Sequence, residues 1–240
     1  MIIRADLHVH SLASADGSST VPQLAAEATA RGLDAIAVTD HDACTPLPEI
    51  PDVLLIPAAE LSTDRGHVLG LFLKTPISEA FLRGYPPLDD CVAEIHRCGG
   101  AAVLAHPFAP QKLEERRLQS LSFDGIETAN ARAALRPGAN EKAAALAKAM
   151  GLPTTGGSDA HSAREIANAY TEFDAENCTL DALREALLAG RCRAVLQTPC
   201  RWRDKGRSRL QKDRRAGGFS NILRARFYQI ACVFRDILHI

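Results

Sequence analysis

The chain has 240 residues, of which 46% are hydrophobic and 24% are charged, so its composition is that of an ordinary folded domain and excludes wholesale disorder. No apolar run approaches the roughly 20 residues needed to cross a bilayer, and the first residues lack the apolar core of a signal peptide. Seven cysteines without a C-x-x-C pair indicate reduced thiols, not a disulfide framework. A cytoplasmic enzyme or binding protein is therefore expected.

The net charge of −1 is distributed unevenly. Residues 201–240 contain eleven Lys or Arg and three acids, a net charge of +8, which leaves −9 for residues 1–200. We therefore expect a main domain over residues 1–198 and a basic extension over residues 199–240. An acidic domain needs local positive charge, such as metal ions, to handle an anionic substrate.

Strands and helices alternate in chain order. "IIRADLHVH" is a strand candidate, "TVPQLAAEATARG" is a helix with a capping box between Thr20 and Gln23, and "LDAIAVTDHD" is the next strand. Further strands are predicted at "VLLIPAAELS", "HVLGLFL", "AAVLAHP", "FDGIETAN" and "LPTTGGSDAH". Helices are predicted at "LDDCVAEIHRCGG" and "ANEKAAALAKAMG", and a last unit pairs "TLDALREALLAG" with "CRAVL". Such repeated β/α units predict a parallel barrel or a doubly wound sheet.

The basic extension has two predicted parts. The stretch from about Pro199 to Gly218 has the composition of a charged, poorly packed linker. Beyond it, "SNILRARFYQIACVFRDILHI" has apolar residues at helical spacing and predicts an amphipathic helix. Two interpretations stay open, contact with RNA or an anionic surface through residues 201–240, or packing of the final helix on the barrel.

Polar residues lie at the ends or starts of the predicted strands. In a barrel, the carboxyl ends of all strands meet at one mouth, whereas in an open sheet only those near a switch point meet. We favour a small or distorted barrel, because it places these side chains in a single site: Asp6, His8, His10, His41, Glu60, His106, Asp159 and His161.

The spacing of His8 and His10 indicates a metal site. A period of two on a strand puts both imidazoles on the same face. Six of the eight histidines lie at strand ends or starts, several beside acids, and imidazole with carboxylate suits Zn, Mn or Fe. The sequence has no G-x-x-x-x-G-K-[ST] loop, so ATP-driven chemistry of that type is not supported.

The motifs "DLHVHSLASADG", "AVTDHD", "AAELS", "HVLGLFL", "AHP" and "GGSDAH" resemble, in order and approximate spacing, the PHP (polymerase and histidinol phosphatase) superfamily of metal-dependent phosphoesterases. The resemblance covers roughly residues 3–175. It implies an α/β fold, a distorted seven-stranded (β/α) barrel of PHP type, here with a basic C-terminal helical extension. It also implies two or three divalent metal ions (Mn, Zn or Fe) at the mouth.

The resemblance also implies a role for individual residues. His8, His10, Glu60 and Asp159 would hold one metal and its hydroxide, and Glu60 would bridge to a second. The implied second set adds His67 and His106, and the implied third set is Asp16, His41 and His161. Many members have a histidine where this chain has Asp16. The presence of Asp16 resembles the branch that contains small nucleotide phosphatases. Asp6 and Asp40 are expected to orient neighbouring imidazoles.

The expected activity is hydrolysis of a phosphomonoester by metal-activated hydroxide. The branch implies a nucleotide, such as a nucleoside 3′,5′-bisphosphate or the end of a short oligoribonucleotide. Asn130, Arg132 and Arg136 lie where related enzymes have a substrate loop, and a guanidinium there would suit a second phosphate. The alternatives are a histidinol-phosphate phosphatase and a non-catalytic, metal-stabilised binding module.

Overall fold

Two five-stranded sheets form the framework of the chain. In the computed structural model, residues 1–109 and 121–238 are described, and residues 239–240 of the predicted extension lie outside this range. The strands are β1 Ile2–Val9, β2 Ala35–Val38, β3 Leu54–Pro57, β4 Ala59–Thr63, β5 Gly66–Leu71, β6 Ala101–Leu104, β7 Gly125–Asn130, β8 Thr154–Gly157, β9 Ala169–Asp174 and β10 Cys192–Leu196. Their order is β10-β9-β1-β2-β3 in the first sheet and β4-β5-β6-β7-β8 in the second.

The described helices follow the sequence signals closely over most of the chain. They are α1 Val21–Ala30, α2 Leu88–Arg97, α3 Ala139–Met150, α4 Leu180–Leu188, α5 Trp202–Ala216 and α6 Phe219–Leu238. The predicted capping box is confirmed, because the Gln23 amide donates to Thr20 Oγ1 and the Thr20 amide donates to Gln23 Oε1. Helix α3 ends at Gly151, whose φ of 66° is in the left-handed region that glycine tolerates best.

The strand ladders differ from the single seven-stranded barrel that was expected. Among the described residues, two isolated bridges connect the two sheets, Val9 to Ala160 and His41 to Glu60. Each bridge joins a residue just beyond a strand end, Ala160 after β8 or His41 after β2, to a strand of the other sheet. They nevertheless bring the ends of β1 and β2 against the second sheet.

Strand direction places the polar side chains on one side of the framework. β1, β2 and β3 are parallel to one another, as are β6, β7 and β8. β5 is antiparallel to both β4 and β6, so its start lies beside the end of β6. This explains why His67, at the start of β5, lies near residues that follow the ends of other strands, since the Ala105 amide donates to its carbonyl.

The two sheets enclose a shared apolar core. Ile3, Leu7 and Ile56 of the first sheet pack in one buried cluster with Leu69 and Val103 of the second. Burying each such side chain contributes about 1.5–3 kcal/mol. This packing holds the edges of the two sheets close enough for their polar ends to meet.

The basic extension corrects one prediction. The stretch from Pro199 to Gly218 was predicted to be a poorly packed linker, but most of it forms the 15-residue helix α5. Its small residues Gly206 and Ser208 are buried, and a Cβ at Gly206 would lie 3.0 Å from the Cα of Gln229 in α6. The close approach of α6 therefore stabilises a helix that the charged composition obscures.

Helix α6 packs along α5 and exposes much of its apolar face. Its largest exposed side chains are Phe219, Phe227, Ile230, Phe234 and Ile237. Asp236 near its end accepts hydrogen bonds from the Trp202 and Arg203 amides at the start of α5. Over residues 1–109 and 121–238, none of the helices has the length and apolarity to span a bilayer.

Gly157 at the end of β8 provides a test of this framework. A Cβ there would lie 2.4 Å from the Cβ of His8, so Gly157→Ala must push β1 and β8 apart. Overpacking of this kind costs about 1–3 kcal/mol, so we expect the melting temperature to fall by roughly 2–12 °C in circular dichroism. Gly125→Ala is the control, because its nearest contact would be 3.3 Å. An equal effect of both variants would contradict the close approach.

Candidate metal centre

The carboxylate of Glu60 lies at the centre of the polar cluster. Glu60 is fully buried on β4, and five imidazoles surround it. Its Oε2 lies 3.3 Å from Nε2 of His8, 3.3 Å from Nε2 of His10 and 3.0 Å from Nδ1 of His41. Its Oε1 lies 2.7 Å from Nδ1 of His67 and 3.1 Å from Nε2 of His106. The two oxygens therefore face two different groups of histidines.

Asp159 and Asp16 extend the cluster. Asp159 Oδ1 lies 3.4 Å from Nε2 of His10 and 3.5 Å from Nδ1 of His161. Asp16 Oδ1 lies 3.5 Å from Nε2 of His161 and 3.9 Å from Nε2 of His41. The structure thus brings together all nine residues that the resemblance implies as metal ligands.

The distances between side chains do not divide the nine residues into the three implied ligand sets, because neighbouring groups share residues. Over residues 1–109 and 121–238, four groups have ligand atoms within 4.8 Å of one another: His8 with His10 and Asp159, His41 with Glu60 and His67, His10 with His41 and His161, and His8 with His106 and Glu127. His41 lies between Glu60 and Asp16, so it faces two neighbouring positions. The assignment of each residue to one ion stays a prediction.

Several buried atoms of the cluster have no hydrogen-bond partner among the described residues. These atoms are Nε2 of His8, Nε2 of His10, Oδ1 of Asp16 and Oε2 of Glu60. Buried polar atoms are normally paired, because an unpaired one costs about 1–3 kcal/mol. Nitrogen and oxygen atoms that converge without bonding to one another are the donor set that Zn, Mn and Fe bind. The residues present therefore fit divalent metal ions.

His10 is held as a neutral imidazole. Burial, with the neighbouring His161 and His41, lowers its pKa to about 3. Ser14 Oγ donates to Asp40 at 2.7 Å, so the 3.2 Å contact between Ser14 Oγ and Nδ1 of His10 is assigned to donation by the ring. Asp40 thus acts on His10 through Ser14, and Nε2 of His10 keeps its lone pair.

Glu127 is a functional candidate that the sequence analysis missed. It lies on β7, almost fully buried, with Oε1 3.0 Å from Nδ1 of His8 and Oε2 accepting from the His106 amide at 2.9 Å. Burial opposes charging of His8, but Glu127, Glu60 and Asp159 outweigh it and raise the pKa of His8. A carboxylate that holds the far nitrogen of a ligand histidine orients the ring for metal binding. The signal available in the sequence was an acid inside the otherwise buried strand "FDGIETAN".

Asp6 acts on the main chain and not on an imidazole ring. Its carboxylate accepts hydrogen bonds from the amides of His8, Ser158 and Ala167 at 3.3, 2.8 and 3.0 Å. Burial raises its pKa to about 6, and these hydrogen bonds oppose the shift. The expectation that Asp6 orients a ring directly is therefore replaced by a role in joining the ends of β1 and β8.

The three predicted substrate residues differ in their surroundings. Asn130 is buried, and its Nδ2 donates to Glu127 Oε2 at 3.0 Å, so it supports the carboxylates. Arg132 is also buried and pairs with Glu165 at 2.7 Å. Arg136 is exposed, and all three residues line a cavity of about 450 Å³ beside Glu60 and Asp159.

Backbone strain accompanies the cluster. His106 has a φ of 24° and Asp159 a φ of 53°, both in the region that non-glycine residues rarely adopt. Such conformations cost about 1–3 kcal/mol each and persist where the surroundings over-determine them. Both residues are candidate ligands that follow shortly after the ends of β6 and β8.

Comparison with known proteins identifies related chains. A family model described as "PHP domain" matches residues 6–75, and one described as "PHP-associated" matches residues 137–192. An uncharacterised protein of Methanocaldococcus jannaschii is 30% identical over 185 residues, which cover 73% of this chain and 72% of that protein.

Two solved structures have a similar fold. One is a two-domain protein of Bacteroides vulgatus containing a predicted PHP-like metal-dependent phosphoesterase, with a TM-score of 0.62 and 23% identity over 82% of this chain. The other is endonuclease Q in complex with a 27-mer duplex that has an abasic lesion at the active site, with a TM-score of 0.58 and 19% identity over 79% of this chain. This chain spans 65% and 57% of the length of these two proteins, less than two thirds of each.

Metal content tests the central position of Glu60. Glu60→Gln keeps the shape of the side chain but removes the charge that faces five imidazoles, so we expect loss of at least about one metal equivalent per chain in elemental analysis. Glu94→Gln is the matched control, because Glu94 is a buried acid that pairs with Arg97 outside the cluster. Equal metal content in the two variants would contradict the assignment.

Proposed function

Because this chain belongs to the PHP family, we propose that it is a metal-dependent phosphoesterase that hydrolyses a phosphomonoester at the Glu60 cluster. The observation that carries the proposal is the set of buried, unpaired ligand atoms from His8, His10, Asp16 and Glu60. Metal ions bound there would neutralise phosphate oxygens and activate a water molecule. Although the ladders form two sheets, we infer that the fold is a distorted barrel with one mouth, because polar residues at the strand ends of both sheets converge on Glu60.

Individual residues would have separate roles in this reaction. Glu60 and Asp159 hold negative charge at the cluster, since the histidines around them lower the pKa of both carboxyls despite burial. Glu127, and Asp40 through Ser14, fix the orientation of His8 and His10. Arg136 at the cavity wall would orient the substrate by its anionic group.

The charges of the cavity favour a doubly phosphorylated substrate over histidinol phosphate. Arg132 and Arg136 both line the cavity, and the amine of histidinol would meet these guanidinium groups. A nucleoside 3′,5′-bisphosphate or the end of a short oligoribonucleotide offers a second anion instead. A fold neighbour in complex with a 27-mer duplex substrate that has an abasic lesion at the active site supports keeping nucleic-acid substrates among the candidates.

A non-catalytic binding module is the rival from another class. Such a module would tolerate the loss of ligand residues, whereas this chain keeps all nine within one cluster. The complete donor set supports catalysis.

A substrate panel tests the proposed activity. With Mn²⁺ added, we expect phosphate release from adenosine 3′,5′-bisphosphate to exceed release from adenosine 5′-monophosphate and from histidinol phosphate. A nitrophenyl phosphodiester in the same panel separates phosphatase from phosphodiesterase activity. Bound metal without release from any of these compounds would favour the binding module, and preference for histidinol phosphate would overturn the nucleotide assignment.

Substitution of the ligands tests the same site independently. His10→Ala or Asp159→Ala removes a side chain that faces Glu60 or its histidines, and we expect phosphate release to fall by at least about 100-fold, the effect of losing roughly 3 kcal/mol of transition-state stabilisation. His96→Ala is the control, because His96 lies on α2 and pairs with Asp124. Far-ultraviolet circular dichroism checks that each variant folds, and wild-type rates in a folded ligand variant would refute its role.

A further inference from the structure

Helix α5 lies against the mouth of the metal centre and is fixed there at both ends. Just before its start, the Cys200 amide donates to the carbonyl of Ala131, and midway along it Ser208 Oγ accepts from Nη1 of Arg132 at 2.9 Å. At its end, the Arg215 guanidinium donates to three carbonyls of the loop that carries Asp16. These acceptors are Leu12 at 3.0 Å, Ser14 at 2.6 Å and Gly17 at 3.2 Å. The basic extension is therefore part of the site.

One face of α5 adds positive charge to the cavity. Lys205, Arg209 and Lys212 follow one another at intervals of four and three residues, so they lie on the same side of the helix. All three line the cavity of about 450 Å³ that also contains Glu60 and Asp159. Nζ of Lys212 lies 3.7 Å from Oδ2 of Asp16, which places this face directly beside a candidate metal ligand.

The cations of the cavity are only partly paired with acids. Arg132 pairs with Glu165, Arg209 pairs with Asp213 at 2.9 Å, and Lys212 lies 3.7 Å from Asp16. Within residues 1–109 and 121–238, neither Lys205 nor Arg136 makes an ion pair, and the buried Nε of Arg132 has no hydrogen-bond partner. Burial, with the nearby Arg136 and Arg132, lowers the pKa of Lys205, as expected for a half-buried ammonium among like charges. Such a group of cations is stabilised by an anion between them.

We propose that Lys205 and Arg209 of α5, together with Arg136, form an anion subsite that binds a second phosphate of the substrate while the first lies at the metal centre. This inference rests on the proposed phosphoesterase function, because the metal centre supplies the reacting position. The substrate class is then a phosphomonoester that has another phosphate nearby. Guanidinium and ammonium groups both bind phosphate through charge-assisted hydrogen bonds.

The second phosphate has two possible chemical sources. It is a second monoester in a nucleoside bisphosphate, or the neighbouring diester in a 5′-phosphorylated dinucleotide such as pApA. The cavity volume of about 450 Å³ lies within the usual range for a small-molecule site, so either compound suits it. Comparing the two compounds with adenosine 5′-monophosphate distinguishes the sources.

A pair of matched double variants tests the subsite. Lys205→Gln/Arg209→Gln removes two charges from the cavity face of α5, and Arg224→Gln/Arg226→Gln removes two from α6, outside the residues that line this cavity. We expect the ratio of kcat/KM for adenosine 3′,5′-bisphosphate to that for adenosine 5′-monophosphate to fall about tenfold in the first variant, the effect of losing one charged hydrogen bond. The ratio in the control stays at the wild-type value.

The outcomes separate this inference from the proposed function. A fall in the bisphosphate ratio identifies a monoester as the second group, and a fall confined to pApA identifies a diester. Unchanged ratios for both compounds, with phosphate still released, overturn the subsite and leave the phosphoesterase intact. If the wild type releases no phosphate, calorimetric binding of adenosine 3′,5′-bisphosphate still decides, because the subsite requires about tenfold weaker binding in the first variant alone.

Discussion

The burial of the Glu60 carboxylate among five imidazoles is the constraint on which the rest of the structure depends. A buried charge is costly unless cationic groups or metal ions compensate it, and the histidines that surround Glu60 come from both sheets. The bridge from His41 to Glu60 and the contact of His8 with Glu60 therefore join the two sheets at the same point where they create the site. The requirement for cations near Glu60 links the fold to its chemistry.

Much of this site was predictable because its signals are local. Polar residues that end apolar strands stand out in a single sequence, and a period of two places His8 and His10 on one face. The capping box of α1 likewise needs only four consecutive residues. Because the strand ends converge, the remaining candidate ligands can be expected to lie together even though the sequence does not give their individual contacts.

Other features depend on contacts between distant residues and were not predictable. The significance of Glu127 comes from its contacts, above all that with Nδ1 of His8, 119 residues away in the chain. The composition around α5 indicates a linker, since the sequence does not show that Asp236 caps its start or that Gly206 admits α6. The division of the strands into two sheets also depends on which strands pair with each other. The two sheets meet through isolated bridges, and hydrophobic periodicity within single strands does not predict this.

The hydrogen bonds from Arg215 to the carbonyls of Leu12, Ser14 and Gly17 have a consequence for biosynthesis. These hydrogen bonds join residues separated by 203, 201 and 198 positions in the sequence. During translation the first strand and its loop leave the ribosome long before the helix that fixes them, and contacts of such sequence separation form late. The loop that carries Asp16 thus gains this support only after the chain has been synthesised as far as Arg215, 201 positions beyond Ser14, and the candidate metal centre is completed only when α5 has docked.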